Sequence, residues 1–243
     1  MSSILILGAT SDMAQAIAAS FAQRKFNVVL AGRNASELDR IKNDLQIRYQ
    51  VSVSCVSFEA EKINTHIEFI NALPQLPEVT ACVFGYLGDQ TKAQQNAEEA
   101  QQIMAVNYVG AVSILSAIAN KYEQKKSGTI IGISSVAGER GRQSNYFYGS
   151  AKAGFTVFLD GLRNRLFKSN VHVMTVKPGF VNTKMTAGLP LPKPLTAQPS
   201  QVGEAIYKAY LKKTNTLYVL WMWKWIMLII TSIPENMFKK MKL

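Results

Sequence analysis

Residues 134–152 read SSVAGERGRQSNYFYGSAK. Two serines follow an apolar run, and a tyrosine and a lysine, Tyr148 and Lys152, then stand four residues apart. On a helix that spacing puts phenol and ammonium on one face, within reach of a single bound molecule. A phenol titrating near about 10 is a poor acid or base at neutral pH, and a fixed ammonium beside it is expected to lower that value. The pair reads as a general acid/base, with a serine hydroxyl from the end of the preceding strand holding a carbonyl oxygen beside the phenol. A Tyr-x-x-x-Lys pair is also what a solvated helix face carries, so the order of the surrounding elements has to decide.

Upstream of the stretch, Thr129 to Ile133 is an apolar run that predicts a strand; downstream, Lys152 to Phe167 continues as helix and Val171 to Val176 forms another strand. At the start of the chain, Ser3 to Leu7 has the unbroken apolar character of a parallel strand covered on both faces. The turn Gly8 to Ala14 leads from it into an alanine-rich helix, a place where backbone N–H groups and a helix dipole can meet a phosphate. Phe26 to Ala31, Val51 to Ser57 and Val79 to Phe84 read as strands, and Glu37 to Tyr49, Ile63 to Leu73 and Gln94 to Lys121 as helices. Asn107 lies in an apolar section of the last helix and must find partners there, either as a structural plug or as a relay of protons to Lys152. This alternation predicts an α/β fold of the Rossmann type: a doubly wound, mostly parallel seven-stranded sheet with ligands at the carboxyl ends of the strands.

The strand Phe26 to Ala31 closes on Gly32, Arg33 and Asn34. In dinucleotide folds a carboxylate at this point takes the ribose 2′-hydroxyl and an arginine accommodates a 2′-phosphate, so Arg33 favours NADP(H) over NAD(H).

With 243 residues, 48% of them hydrophobic and 18% charged, the chain has the size and composition of one large globular domain and is not a disordered segment. The net charge of +11 points to an anionic partner, and without a nucleic-acid module a membrane surface or phosphate-bearing substrate ranks above nucleic acid. Cys55 and Cys82 sit in strand-like runs and read as buried, reduced thiols of a cytoplasmic protein. His66 is placed on a solvated helix and His172 on a strand; neither has metal-ligand spacing, which argues against a zinc site or a Ser-His-Asp hydrolase.

Taken together, the motifs resemble the short-chain dehydrogenase/reductase family over roughly residues 3–219. Gly8 to Ala14 is similar to its cofactor loop, with Asp12 and Ala14 where glycines are usual. Phe84-Gly85 stands in place of an Asn-Ala-Gly turn, and Pro178-Gly179-Phe-Val181-Asn-Thr183 is similar to the loop that contacts the nicotinamide carboxamide. The resemblance implies a catalytic tetrad of Asn107, Ser135, Tyr148 and Lys152, with Ser134 as the adjacent option for the serine. It implies that Asn107 anchors a water. It also implies cofactor contacts from Gly8, Thr10, Ser11, Asp12, Met13, Arg33, Asn34, Glu59, Ala60, Gly85, Pro178, Gly179, Val181 and Thr183, together with Asn107, Tyr148 and Lys152, and a homodimer or homotetramer. Asp12, beside a pyrophosphate, must point away or cap the helix. Within the family, GATS, FGYLGD, ISSVAGERGRQSNYFYGSAKAG and the aromatic tail look like reductases of polyprenyl-phosphate-linked keto-sugars, which implies an oxidase partner subunit.

The domain so read covers residues 1–220 and includes a proline-rich substrate loop at 184–200, after which Ser200 is expected to cap a helix to Leu211. Residues 221–243 form a tail, WMWKWIMLIITSIPENMFKKMKL, broken by Lys224 and stopped by Pro234. It is marginal for spanning a bilayer, which takes about 20 apolar residues. Either it lies in the interface at the inner face of the membrane, with tryptophans at headgroup depth and Lys239, Lys240 and Lys242 toward anionic lipid, or it packs on a partner subunit. The expectation is an NADPH-dependent reductase of a lipid-linked ketone; the alternatives are a reductase of a steroid, retinoid or acyl ketone, and a non-catalytic nucleotide-binding scaffold.

Overall fold

The computed structural model describes residues 2–241, so Lys242 lies outside the described residues. Seven strands, β1 (Ser3–Leu7), β2 (Asn27–Gly32), β3 (Val53–Ser57), β4 (Val79–Cys82), β5 (Gly128–Ile133), β6 (Val171–Pro178) and β9 (Thr216–Val219), form one sheet in the order β3-β2-β1-β4-β5-β6-β9. Every pairing is parallel. The intervening β7 (Phe180–Val181) and β8 (Thr196–Ala197) pair separately. The apolar run of β1 serves both faces: Ile4 and Ile6 enter one core, Leu5 and Leu7 the other. A two-residue period inside a continuous apolar segment is what a strand roofed on both sides requires.

Helices α1 (Asp12–Ala22), α2 (Ala35–Tyr49) and α8 (Pro199–Leu211) cover the first face, and α3 (His66–Asn71), α6 (Ala111–Lys125) and α7 (Tyr146–Leu166) the second. The strand order reverses between β1 and β4, and the crevice outside their carboxyl ends is the ligand position of a doubly wound sheet.

Local structure departs from the sequence reading at four points. The helix expected from Gln94 to Lys121 is interrupted at Asn96, whose side chain caps α5 (Ala97–Met104) after the short α4 (Gln90–Gln95); a π-helical turn over Ala105–Gly110 then leads into α6. His66 is buried, not solvated: its ring stacks on Phe58 and is held by the Ser113 hydroxyl at 3.0 Å and the Glu59 carbonyl at 3.2 Å. Helix α8 is opened by Gln198 in a capping box with Gln201, with Pro199 at its first turn, so Ser200 is inside the helix and not its cap. Cys82 is buried, whereas Cys55 is only partly so.

The tail folds onto the domain. Helix α9 (Met222–Ser232) buries Trp223 and Met227 against Val136, and Pro234 begins the short α10 (Glu235–Phe238). Arg140, from the loop after β5, fastens the end of α9. It donates to the carbonyls of Ile230 and Thr231 at 3.0 Å each and of Ile233 at 2.6 Å, pairs with Glu235 at 2.9 Å, and lies over the Phe238 ring. A guanidinium satisfying orphan carbonyls at a helix C-terminus is favoured by hydrogen bonding and by the helix dipole. The outer face of α9 leaves Trp221 72% and Trp225 55% exposed, beside Leu228 and Ile229. At eleven residues α9 is too short to span a bilayer; the helical run from Ala97 to Lys125 has the length, but half of its most apolar window is buried in the domain.

Candidate active site

Strand β5 ends at Ile133 and delivers Ser134 and Ser135 to the head of α7. The two serines divide their work. The Ser134 hydroxyl is buried between the Lys152 carbonyl (3.0 Å) and the Thr156 hydroxyl (2.7 Å), so it fastens α7 to the strand. The Ser135 hydroxyl accepts from Ala137 N–H at 3.1 Å and lines the same pocket as the Tyr148 phenol.

Tyr148 and Lys152 share a face of α7, with the Lys152 ammonium 5.7 Å from the centre of the phenol ring. That ammonium is buried and donates to the Ile133 carbonyl at 3.0 Å. Burial lowers the Lys152 pKa from 10.5 to about 8, with a small opposing contribution from Cys82. Desolvation also pushes the Tyr148 phenol up to about 12, against a lowering contribution from the neighbouring Ser135 hydroxyl. The direction is opposite to the sequence expectation: desolvation sets it, the Lys152 ammonium gives its hydrogen bond to a backbone carbonyl, and the phenol holds its proton across the neutral range.

Asn107 resolves its two alternatives toward the plug. Both hydrogens of its amide are spent on the carbonyls of Tyr86 (2.6 Å) and Ile103 (2.8 Å), and its oxygen accepts from Tyr86 N–H at 3.2 Å. The π-helical turn places the residue where it can tie the loop after β4 to the helix; single π turns of this kind occur often at functional sites.

Two cavities meet here. One, of about 170 Å³, is lined by Ser135, Tyr148, Lys152, Pro178, Gly179 and Val181, with Arg142, Asn145, Phe180, Leu189 and Trp223 on its far side. The other, of about 490 Å³, runs along the carboxyl ends of β1, β2 and β4 and is lined by Gly8, Thr10, Ser11, Asp12, Arg33 and Ala60. Met13, Val83, Gly85, Thr183 and Met185 border both. The longer cleft has the features a dinucleotide needs. Gly8 turns with φ +82° and packs so closely on Phe84 that a Cβ would clash with its backbone, and α1 points its N-terminus, capped by Ser11, at the cleft.

Not every expected contact falls there. The Asn34 side chain caps α2, accepting from Glu37 N–H at 3.2 Å, and Glu59 pairs with Lys62 at 2.7 Å while its carbonyl holds His66; neither lines the cleft. Phe58, Glu61, Gln102 and Val106 line it instead, with no motif in the sequence to mark them. Arg33 is 73% exposed and 3.9 Å from Glu61. Asp12 does point away: its carboxylate accepts from Lys184 N–H at 2.7 Å and ties the glycine loop to the start of the substrate loop. Trp223, assigned to a separate tail, forms a wall of the catalytic pocket.

The family model for short chain dehydrogenases matches residues 2–193. The chain belongs to that family. An uncharacterized oxidoreductase of Mycobacterium tuberculosis is 32% identical over 241 residues, 98% of this chain and 96% of the relative, and an uncharacterized oxidoreductase of Streptomyces coelicolor is 29% identical over 243 residues, 98% and 95%. Among solved structures, the short-chain dehydrogenase from Sphingobium yanoikuyae in complex with NADPH superposes with a TM-score of 0.83 over 97% of each chain at 20% identity, a likeness of fold. This short-chain dehydrogenase is accordingly an oxidoreductase acting on alcohol and ketone groups, with a nucleotide cofactor.

Proposed function

We propose that this short-chain dehydrogenase reduces a ketone with NADPH, and that the ketone is lipophilic, of the kind carried by a polyprenyl-phosphate-linked keto-sugar. One observation carries the reading: a half-buried tyrosine that keeps its proton shares with Ser135 and Lys152 a pocket that abuts the dinucleotide cleft. A nicotinamide cofactor bound in that cleft supplies the hydride. Ser135 and Tyr148 hold the ketone oxygen, and the Tyr148 hydroxyl gives it the proton as the carbon is reduced. Lys152 stabilises the phenolate left behind and contacts the cofactor ribose; Asn107 fixes the loop that carries Gly85, the wall common to both cavities. Arg33, at the end of β2, takes the 2′-phosphate.

The keto-sugar is supported by the sequence likeness around the catalytic stretch, and the apolar pocket walls support lipophilic ketones more widely. The outer face of α9, with Trp221, Trp225 and Lys224, supports peripheral attachment at the inner face of the membrane, where an oxidase subunit would hand over the keto intermediate. A homo-oligomer belongs to the same proposal. The test is NADPH oxidation against a ketone panel. Tyr148→Phe is expected to lower turnover at least 10²-fold, the usual scale of general acid catalysis, with NADPH affinity retained; undiminished turnover would overturn the assignment.

A further inference from the structure

Three charged side chains follow the catalytic serine in the stretch Glu139-Arg-Gly-Arg142, and two are committed to the fold. Glu139 binds the Lys177 ammonium at 2.8 Å and the Tyr218 hydroxyl. Arg140 fastens the tail helix. Arg142 has neither task. It lines the catalytic pocket, its Nη2 meets only the thioether of Met227 at 3.3 Å, and its Nε is buried without a hydrogen-bond partner. Nε and Nη2 form the edge of a guanidinium that grips an oxyanion with two parallel hydrogen bonds. A thioether is a weak acceptor, and a buried donor left unpaired is destabilising.

A second group in the same turn is also unspent. Asn145 stands at the N-cap of α7 yet makes no capping bond, and its buried amide oxygen has no partner. Its backbone N–H bonds the Arg142 carbonyl at 3.2 Å, so one tight turn delivers both side chains to the pocket. The pocket lining contains Arg142 and Lys152 and, among the described residues, no carboxylate.

We propose that Arg142 is the specificity-determining anchor for a phosphate ester on the substrate, gripping it through Nε and Nη2 once the flexible Met227 side chain swings aside, with Asn145 taking a neighbouring hydroxyl. The ketone oxygen then faces Tyr148 while the phosphate sits toward α9. This inference rests on the reductase reading and adds to it the residue that recognises the substrate's charge.

Phosphate esters come from lipids and from soluble sugars, and calorimetry on the NADP⁺-saturated protein separates the two. Octyl phosphate, octan-1-ol and ribose 5-phosphate are the probes. Octyl phosphate is expected to bind at least about tenfold more tightly than octan-1-ol, the scale of one charge-assisted hydrogen-bonded pair. Arg142→Gln should bring the two together. Arg142→Lys, which keeps charge and loses the fork, should retain part of the difference. NADP⁺ affinity checks that each variant is folded, and the wild-type comparison stands without either. Ribose 5-phosphate binding as well as octyl phosphate assigns the anchor to soluble sugar phosphates; weaker binding assigns it to lipid phosphates. Equal binding of octyl phosphate and octan-1-ol by the wild type, or an undiminished ratio in Arg142→Gln, overturns the anchor. No probe is a ketone: loss of the phosphate preference with ketone reduction intact rejects the anchor alone, and the converse rejects the reductase reading alone.

Discussion

The indole of Trp223 fills the space in which a side chain at Gly179 would lie: a Cβ placed on that glycine would overlap the ring. The two residues come from the loop after β6 and from the tail helix, and together they wall the catalytic pocket. Gly179→Ala is therefore expected to push α9 off the domain, raising KM for ketones and shifting tryptophan emission to longer wavelength. Unchanged emission and KM would show that the contact has no role in closing the pocket.

Arg140 should behave as a fastener rather than a catalytic group. Arg140→Ala leaves the carbonyls of Ile230, Thr231 and Ile233 without their donor. Hydrogen bonds to a charged group contribute about 1.5–3 kcal/mol each at most, and water replaces some of them here, so a total loss of roughly 2–4 kcal/mol is expected. Denaturant melts of the full chain measure it, and limited proteolysis should find the first cut in residues 221–241.

Asp12 separates charge from tethering. Its carboxylate accepts from Lys184 N–H, so Asp12→Asn can keep the acceptor while removing a negative charge from the cleft. NADPH should bind this variant more tightly, by a factor of about 3–10 for one partly screened charge at close range. Asp12→Ala loses the tether as well, and the loop at 184–200 should become more sensitive to protease. Equal NADPH affinity in all three proteins would place the pyrophosphate elsewhere.

Lys152 is expected to cost stability. Its folded pKa of about 8 lies below the ordinary 10.5, so the folded protein binds fewer protons between those values than the unfolded chain. The charge is unfavourable in full below pH 8 and progressively relieved toward pH 10.5. The difference corresponds to roughly 3 kcal/mol, set against about 1 kcal/mol for the hydrogen bond to the Ile133 carbonyl. Lys152→Met should thus be more stable than the parent at pH 7 by about 1–2 kcal/mol and inactive, with the advantage shrinking as pH rises through that window. A variant less stable at pH 7 would contradict this.

The alternation of strands and helices that implies a doubly wound sheet, and the Tyr148–Lys152 face, could be read in the chain because each depends on short-range period and spacing, whereas the order of the strands within the sheet could not. The misreadings share a cause. His66 lies on a helix whose polar neighbours suggest solvent, and only packing against Phe58 and Ser113 buries it. Ser200 has the chemistry of a cap, but Pro199 before it opens the helix one residue earlier and leaves Gln198 to do the capping. The Tyr148 pKa depends on how much water the pocket excludes, a property of the assembled fold. Trp223 reads as one of three tail tryptophans, and it takes the Arg140 contacts, made from 90 or more residues upstream, to turn that ring inward.

Because Arg140 holds α9 in place, the helix has two duties: Trp223, backed by Met227, shapes the reaction chamber, while Trp221, Trp225, Leu228 and Ile229 meet whatever lies outside. Selectivity and attachment are thereby mechanically linked, so a docking event that tilts this rod would remould the chamber, and grafting the tail onto another reductase would transplant both properties at once.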